Sequence, residues 1–415
     1  METTFFELYS RLVKAGVDGN QEEREKVAEL GYDEHQLDCL FHPDRHAPVW
    51  QLGQCRCEDG DAACRKVCLF DAITKDEQGN IFIKRDGCVG CAACIDECKA
   101  KNLTESRDIL PLLDAVHQTD APVYAMIAPA FVSQYSSEVT PGRLRSAFKA
   151  LGFAGMIEVA LFADLLTLKE ALEFDQAIKT EEDYLLTSCC CPIWIAMIRK
   201  VYKKLMPHVP GSVSPMVACG RAIKKIHPDA ITVFVGPCVA KKAEAREPDI
   251  ADAVDFVLTF AEVQDLFDAA GIDPAGMEED LRDHSSKAGR IYARTGGVSE
   301  AVHATVQRLT PDRKIGIKTT QADGVPACKE LLNRLMDGSI DANFIEGMGC
   351  VGGCVGGPKA ILPKEQGREN VNEYSEEAIY QTPADNPYVI DLLHRIGFDT
   401  IGSLLHDNDI FTRSF

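Results

Sequence analysis

Cysteine placement constrains this chain more than any other feature. Seventeen cysteines occur in 415 residues: eight lie between Cys55 and Cys98, three are consecutive at Cys189, Cys190 and Cys191, and two stand four apart at Cys350 and Cys354. Cys39, Cys219, Cys238 and Cys328 stand alone. In a reducing compartment, thiols grouped this way read as metal ligands or reactive groups rather than disulfides. The run Cys88-x2-Cys91-x2-Cys94-x3-Cys98 has the spacing in which three thiolates wrap one [4Fe–4S] cube while the fourth reaches a second. Its partner, Cys55-x-Cys57-x6-Cys64-x3-Cys68, is irregular at its front and keeps the closing gap. The crossed assignment puts Cys55, Cys57, Cys64 and Cys98 on one cluster and Cys68, Cys88, Cys91 and Cys94 on the other. Zinc would accept Cys91-x2-Cys94 as half a site, but zinc usually pairs two such knuckles. Leu69 and Lys99 stand where a proline usually follows the last cysteine.

Such a segment, short of long apolar elements apart from Ile81-Phe82-Ile83, needs bound metal to fold. Around it the chain divides into a helical lead over residues 1–50, the ferredoxin-like region over 51–104 and a larger unit over 105–415. The lead is amphipathic (Leu8, Leu12, Val13, Val27, Leu30) and closes in a turn from His42 to Pro48, where the proline-flanked pair His42 and His46 offers two metal ligands but reads first as a solvated loop. In the larger unit, strand candidates at Val123–Ala128, Gly155–Leu161, Tyr184–Thr187, Ile231–Val235 and Asp255–Leu258 alternate with helical stretches near 142–151, 164–178, 193–205 and 260–270. That alternation predicts an α/β fold. Thr259 and Glu262 form a capping-box signature. A short helical tail is expected around Tyr388–His406.

The charge balance, 44 − 64 = −20, disfavours nucleic acid and anionic lipid. No run approaches the ~20 apolar residues of a membrane span. The start, Met1-Glu-Thr-Thr-Phe-Phe, lacks the basic and apolar parts of a secretory signal, so a cytosolic address is expected.

Three further motifs carry chemistry: Thr187-Ser-Cys-Cys-Cys-Pro-Ile-Trp194, Gly236-Pro-Cys-Val-Ala-Lys-Lys-Ala-Glu244 and Glu346-Gly-Met-Gly-Cys-Val-Gly-Gly-Cys-Val-Gly-Gly-Pro358. Thiolates from three distant loops are how a fold encloses a cluster. In order and chemistry these loops resemble those of the [FeFe]-hydrogenases. The resemblance runs from the ferredoxin-like region through residue 358. It implies a two-lobed catalytic domain of mixed sheets flanked by helices, plus the small α+β ferredoxin-like domain. It also implies an H-cluster whose cubane is held by Cys191, Cys238, Cys350 and Cys354, with Cys354 bridging to a two-iron unit bearing CO, cyanide and an azadithiolate.

By the same resemblance Cys190 matches the proton-donating thiol, Lys241 a donor to iron-bound cyanide, and Met348 and Pro129 residues that line the two-iron unit. Glu170 and Glu173, one helical turn apart, match relay carboxylates; Glu244 is a further one, and Ser212 or Ser214 is expected to serve the relay. The implied partners are ferredoxin or a similar one-electron carrier, the enzymes that mature the H-cluster, and H2 and protons as substrates. Several positions depart from common members: the extra Cys189, Gly236 for methionine, Met216 for glutamine, Gly349 for alanine and Tyr292 for phenylalanine. They suggest a divergent branch. Cys39, Cys219 and Cys328 read as buried structural thiols. No GxGxxG in a strand-turn-helix context is present, so nicotinamide use would need a partner. The competing readings are a non-catalytic iron–sulfur assembly protein, which would not need Cys190 or Lys241, and a hydrogen sensor, for which no signalling domain follows residue 360.

Overall fold

The computed structural model describes residues 4–29, 32–55, 57, 62–75, 80–187, 190–282, 284–406 and 408–414. Leu30 of the lead and Ser188 and Cys189 of the first loop lie outside them. The architecture is mixed α/β. Its strands are β1 (Val49–Gln51), β2 (Ile73–Lys75), β3 (Ile81–Ile83), β4 (Leu103–Glu105), β5 (Val123–Ile127), β6 (Gly155–Glu158), β7 (Leu185–Leu186), β8 (Ile231–Gly236), β9 (Phe256–Thr259), β10 (Thr319–Asp323) and β11 (Phe344–Met348).

Two parallel sheets frame the larger unit, one ordered β6-β5-β8-β9 and the other β10-β11-β7. The first sheet is buried on both faces: Ala125, Met126, Ile127, Val233 and Val235 are almost inaccessible, as parallel strands covered by helices require. The strand expected over Gly155–Leu161 ends at Glu158, because Ala160 and Leu161 already open the helix Ala160–Ala177. The helix expected near 193–205 is Pro192–Lys200, followed by a 3-10 turn, Lys203–His208. The tail forms the helix Pro387–Arg395 and a 3-10 turn, Ile401–Leu405.

The capping box forms as read: Thr259 Oγ1 accepts from Glu262 N at 3.1 Å, and Thr259 N donates to Glu262 at 2.7 Å. Glu262 also accepts from Asp108 N and from the fully buried Lys242, so one carboxylate ties three segments together.

The ferredoxin-like region is two antiparallel ribbons, β1 with β4 and β2 with β3. Its small core, Val49, Ile73, Ile81 and Leu103, includes Cys64 and Cys94 themselves. The lead does not stand apart. Leu8, Leu12 and Val13 of the helix Phe5–Val17 enter the same core as Ile109, Leu112 and Phe267. Among the described residues, no helix is long and apolar enough to cross a membrane.

Candidate functional site

The three cysteine loops leave the C-terminal ends of parallel strands, where α/β sheets present their sites. Cys190 and Cys191 follow β7, Cys238 follows β8, and Cys350 and Cys354 follow β11. Pro129 opens a 3-10 turn, Pro129–Phe131, at the same end of β5. Thus Cys238 arrives from one sheet and Cys191, Cys350 and Cys354 from the other.

These four thiols converge. Cys350 interacts electrostatically with Cys238, Cys191 and Cys354, Cys354 with Cys238 and Cys191, and Cys238 with Cys191, so each of the four is within electrostatic reach of the other three. Burial, reinforced by neighbouring sulfurs, pushes Cys238 up to about 11 and Cys354 up to about 12, and raises Cys350 well above the ordinary thiol range. Without metal Cys238, Cys350 and Cys354 hold their protons, which iron would displace on binding sulfur. Donors are already aimed at the sulfurs. Gly349 N lies 3.2 Å from Cys191 Sγ, and the backbone amides of Lys241 and Ala240 face Cys238. The donor set fits an iron–sulfur cube: four thiols, one buried and three half-buried, with N–H groups to stabilise charge on sulfur.

Lys241 is buried, and desolvation works against its charge. Glu244, Cys238 and Cys354 outweigh that penalty and raise its pKa, so it remains an ammonium. Its Nζ donates to Glu244 Oε2 at 2.6 Å. The other oxygen of Glu244 has no hydrogen-bond partner among the described residues. Glu244 also lines a cavity of about 570 Å³ with Cys88, His46, Arg199, Arg246 and Glu247, which connects this buried pair to a charged recess.

Cys190 is within electrostatic reach of Cys191, Glu170 and Cys354; burial first, then these neighbours, raises its pKa well above the ordinary value, so it carries a proton at neutral pH. Glu170 is 2% exposed, on the helix Ala160–Ala177. One turn on, Glu173 sits 3.5 Å from Ser212 Oγ, and Lys169 Nζ donates to both Glu173 and Ser212, the latter at 2.6 Å. Burial raises the Glu173 pKa against the pull of Lys169. Of the two serines considered, Ser212 joins this group, while Ser214 accepts from Val217 N and caps the helix Pro215–Ile226. Met348 is 2% exposed, at the end of β11.

The ferredoxin-like cysteines gather into the two crossed sets. Cys55, Cys57, Cys64 and Cys98 line one small cavity, with Cys55 and Cys57 sulfurs 3.4 Å apart; Cys68, Cys88, Cys91 and Cys94 line another. The second set faces the three loops: Cys91 is coupled to Cys350. Gly90, at φ +70°, presses its Cα region on Val239 and Ala240, where an added Cβ would fall 3.0 Å from backbone. Glycine is required there on both counts.

Some site features escaped the sequence. Glu346 is fully buried in β11 and accepts from Gly296 N and Ser299 N, both at 2.8 Å, at the start of the helix Gly297–Leu309. It interacts with both Cys190 and Cys354. Its only signal was an acidic residue ahead of a glycine run. Tyr292, read merely as a substitution, is buried beside Glu170 and Cys190, with its hydroxyl 2.8 Å from Thr167 Oγ1. The third-loop glycines are enforced by protein neighbours: a Cβ at Gly347 would lie 2.0 Å from Trp194, and one at Gly349 2.5 Å from Ile193.

Residues 121–358 match the family described as iron only hydrogenase large subunit, C-terminal domain. The chain is similar to iron hydrogenase 1 of Clostridium pasteurianum, 27% identical over 300 residues, covering 62% of this chain and 52% of that one. It therefore spans about half the length of that relative. It is also similar to cytosolic iron-sulfur assembly component 3 of Bos taurus, 24% identical over 421 residues, with 84% of this chain and 87% of the relative covered. In fold it is like a variant of the [FeFe]-hydrogenase HydA1 from Chlamydomonas reinhardtii, with a TM-score of 0.58 and 20% identity over 71% of this chain and 94% of that one.

Proposed function

The chain belongs to the iron-only hydrogenase family through its residues 121–358, and from that premise we propose that it is a ferredoxin-type [FeFe]-hydrogenase, interconverting protons, electrons and H2 at an H-cluster. The observation that carries this reading is the setting of Cys354. Within the four mutually coupled thiols it is coupled both to the protonated Cys190 and to the Lys241 ammonium. A cluster ligand needs neither neighbour to hold iron; proton chemistry with an anionic diatomic ligand needs both.

Bound there, the H-cluster would supply the two-electron exchange between protons and H2. The chain's own residues hold it and move the proton. Cys191, Cys238, Cys350 and Cys354 are the proposed cubane ligands, and Lys241, Met348 and Pro129 line the two-iron side. Cys190 gives or accepts the proton, Glu170 takes it on, and Glu173 with Ser212 passes it toward solvent. Glu244 holds Lys241 in its charged form. The two ferredoxin-like clusters would carry electrons, entering from ferredoxin or a similar one-electron carrier and leaving Cys91 toward Cys350. Maturation enzymes are further proposed partners, and the cytosol the proposed address.

Infrared spectroscopy of protein matured with the two-iron precursor, together with an H2 assay, tests the reading. CO and cyanide bands with H2 turnover are expected. Cubanes without bands, under conditions that mature a control hydrogenase, would replace it with the second reading, an iron–sulfur assembly role. That alternative has one observation in its favour, the near full-length coverage of the assembly component.

Tyr292 offers a finer check. Its hydroxyl provides polarity beside Glu170, and losing one hydrogen bond worth ~1 kcal/mol corresponds to about fivefold in rate. Tyr292→Phe is expected to keep the bands and lower turnover by about that factor; an unchanged rate and pH profile would remove the hydroxyl from the relay.

A further inference from the structure

Away from the cysteine loops, the fold closes a second group of soft ligands. His35 and Cys39 stand one turn apart on the helix Glu34–Phe41, and the 3-10 turn Pro43–Arg45 brings His46 back onto them. A ligand atom from each of the three lies within 4.8 Å of the other two. We propose that His35, Cys39 and His46 form a mononuclear Zn2+ site, independent of the hydrogen chemistry.

The geometry is close to that of a loaded site. Zinc holds sulfur at about 2.3 Å and imidazole nitrogen at about 2.0 Å, so a tetrahedral S···N edge is about 3.6 Å; Cys39 Sγ and His35 Nε2 are 3.7 Å apart. The imidazoles are held before any metal arrives. Their rings meet edge to face at 5.3 Å, and Asp38 holds His46 Nε2 at 2.7 Å, the carboxylate–histidine support common at zinc centres. His35 Nε2 lies 3.1 Å from the Gln51 carbonyl, a bond it would exchange for the metal. Cys39 is 2% exposed and His35 is open to solvent, so the thiolate is sheltered and the cation has a path in. On binding, the Cys39 thiol releases its proton to water and its sulfur bonds the metal.

The donor set selects the metal. One thiolate cannot hold a four-iron cube, whereas one thiolate, two imidazoles and a water make a four-coordinate zinc site. Asp38 supplies compensating negative charge. The consequence is mechanical: zinc would tie the Glu34–Phe41 helix to the chain that enters β1, while Gln36 of that helix already donates at 2.7 Å to the carbonyl of Leu52, just beyond the strand's other end.

The test uses the full chain with its iron–sulfur clusters in place and iron content measured. After incubation with ZnCl2 and desalting, about one Zn2+ per chain is expected in the wild type and in His42→Ala, with an X-ray absorption shell of one sulfur and nitrogen or oxygen neighbours. Cys39→Ser and His46→Ala are each expected to lower retained zinc about tenfold or more at unchanged iron content. The half-buried His46 keeps the test valid should the buried Cys39 variant misfold. A wild type that retains no zinc, zinc undiminished in both variants, or an all-sulfur shell that places it in the iron–sulfur thiols would each overturn the site.

Discussion

Replacing Cys190 by alanine is expected to leave the infrared bands of the matured protein unchanged and to cut H2 turnover by about two to four orders of magnitude, the range of a lost general acid–base group. The two parts of this result have separate physical causes. Cys190 is not among the four proposed cubane ligands, so the variant keeps all four. Its buried sulfur, kept protonated by desolvation and by Cys191 and Glu170, stands where protons would pass from Glu170. Alanine leaves that gap without a titratable group. Bands retained with near-normal turnover would reject the role; bands lost would show that Cys190 supports the cluster itself.

The second large effect is expected at Cys354. Cys354→Ala removes the thiol coupled to Cys191, Cys238 and Lys241 together, and after maturation the CO and cyanide bands should vanish along with activity. The two clusters proposed for residues 55–98 should remain, visible by electron paramagnetic resonance after reduction. Loss of those signals as well would mean general misfolding, and persistence of the bands would move the bridging role to another thiol. Cys350→Ala is a useful contrast, since Cys350 is the member coupled to Cys91.

The cysteine loops and much of the first sheet were legible because their signals are local. Ile231–Val235 is a run of β-branched and aromatic residues in which only Thr232 is polar, as suits a strand covered on both faces. Of the second sheet only β7 was, expected over Tyr184–Thr187 and found at Leu185–Leu186. Thr319–Asp323 is polar and partly exposed, and Phe344–Met348 is interrupted by Glu346 and Gly347, so neither carries a strand pattern. The carboxylate is tolerated there only because a helix start, distant in sequence, supplies two amide donors. The Ala160–Ala177 helix is buried on most of its circumference and shows no amphipathic stripe, so periodicity alone could not say which way Glu170 faces. His46 read as loop for a similar reason: its partners become neighbours only once the 3-10 turn closes.

The entry of Cys238 from one sheet and of Cys191, Cys350 and Cys354 from the other carries a consequence for stability. An inorganic core at that junction would act as a rivet between two halves of the protein. Loss of such a core would be felt first as a loosening between the halves rather than as unfolding of either.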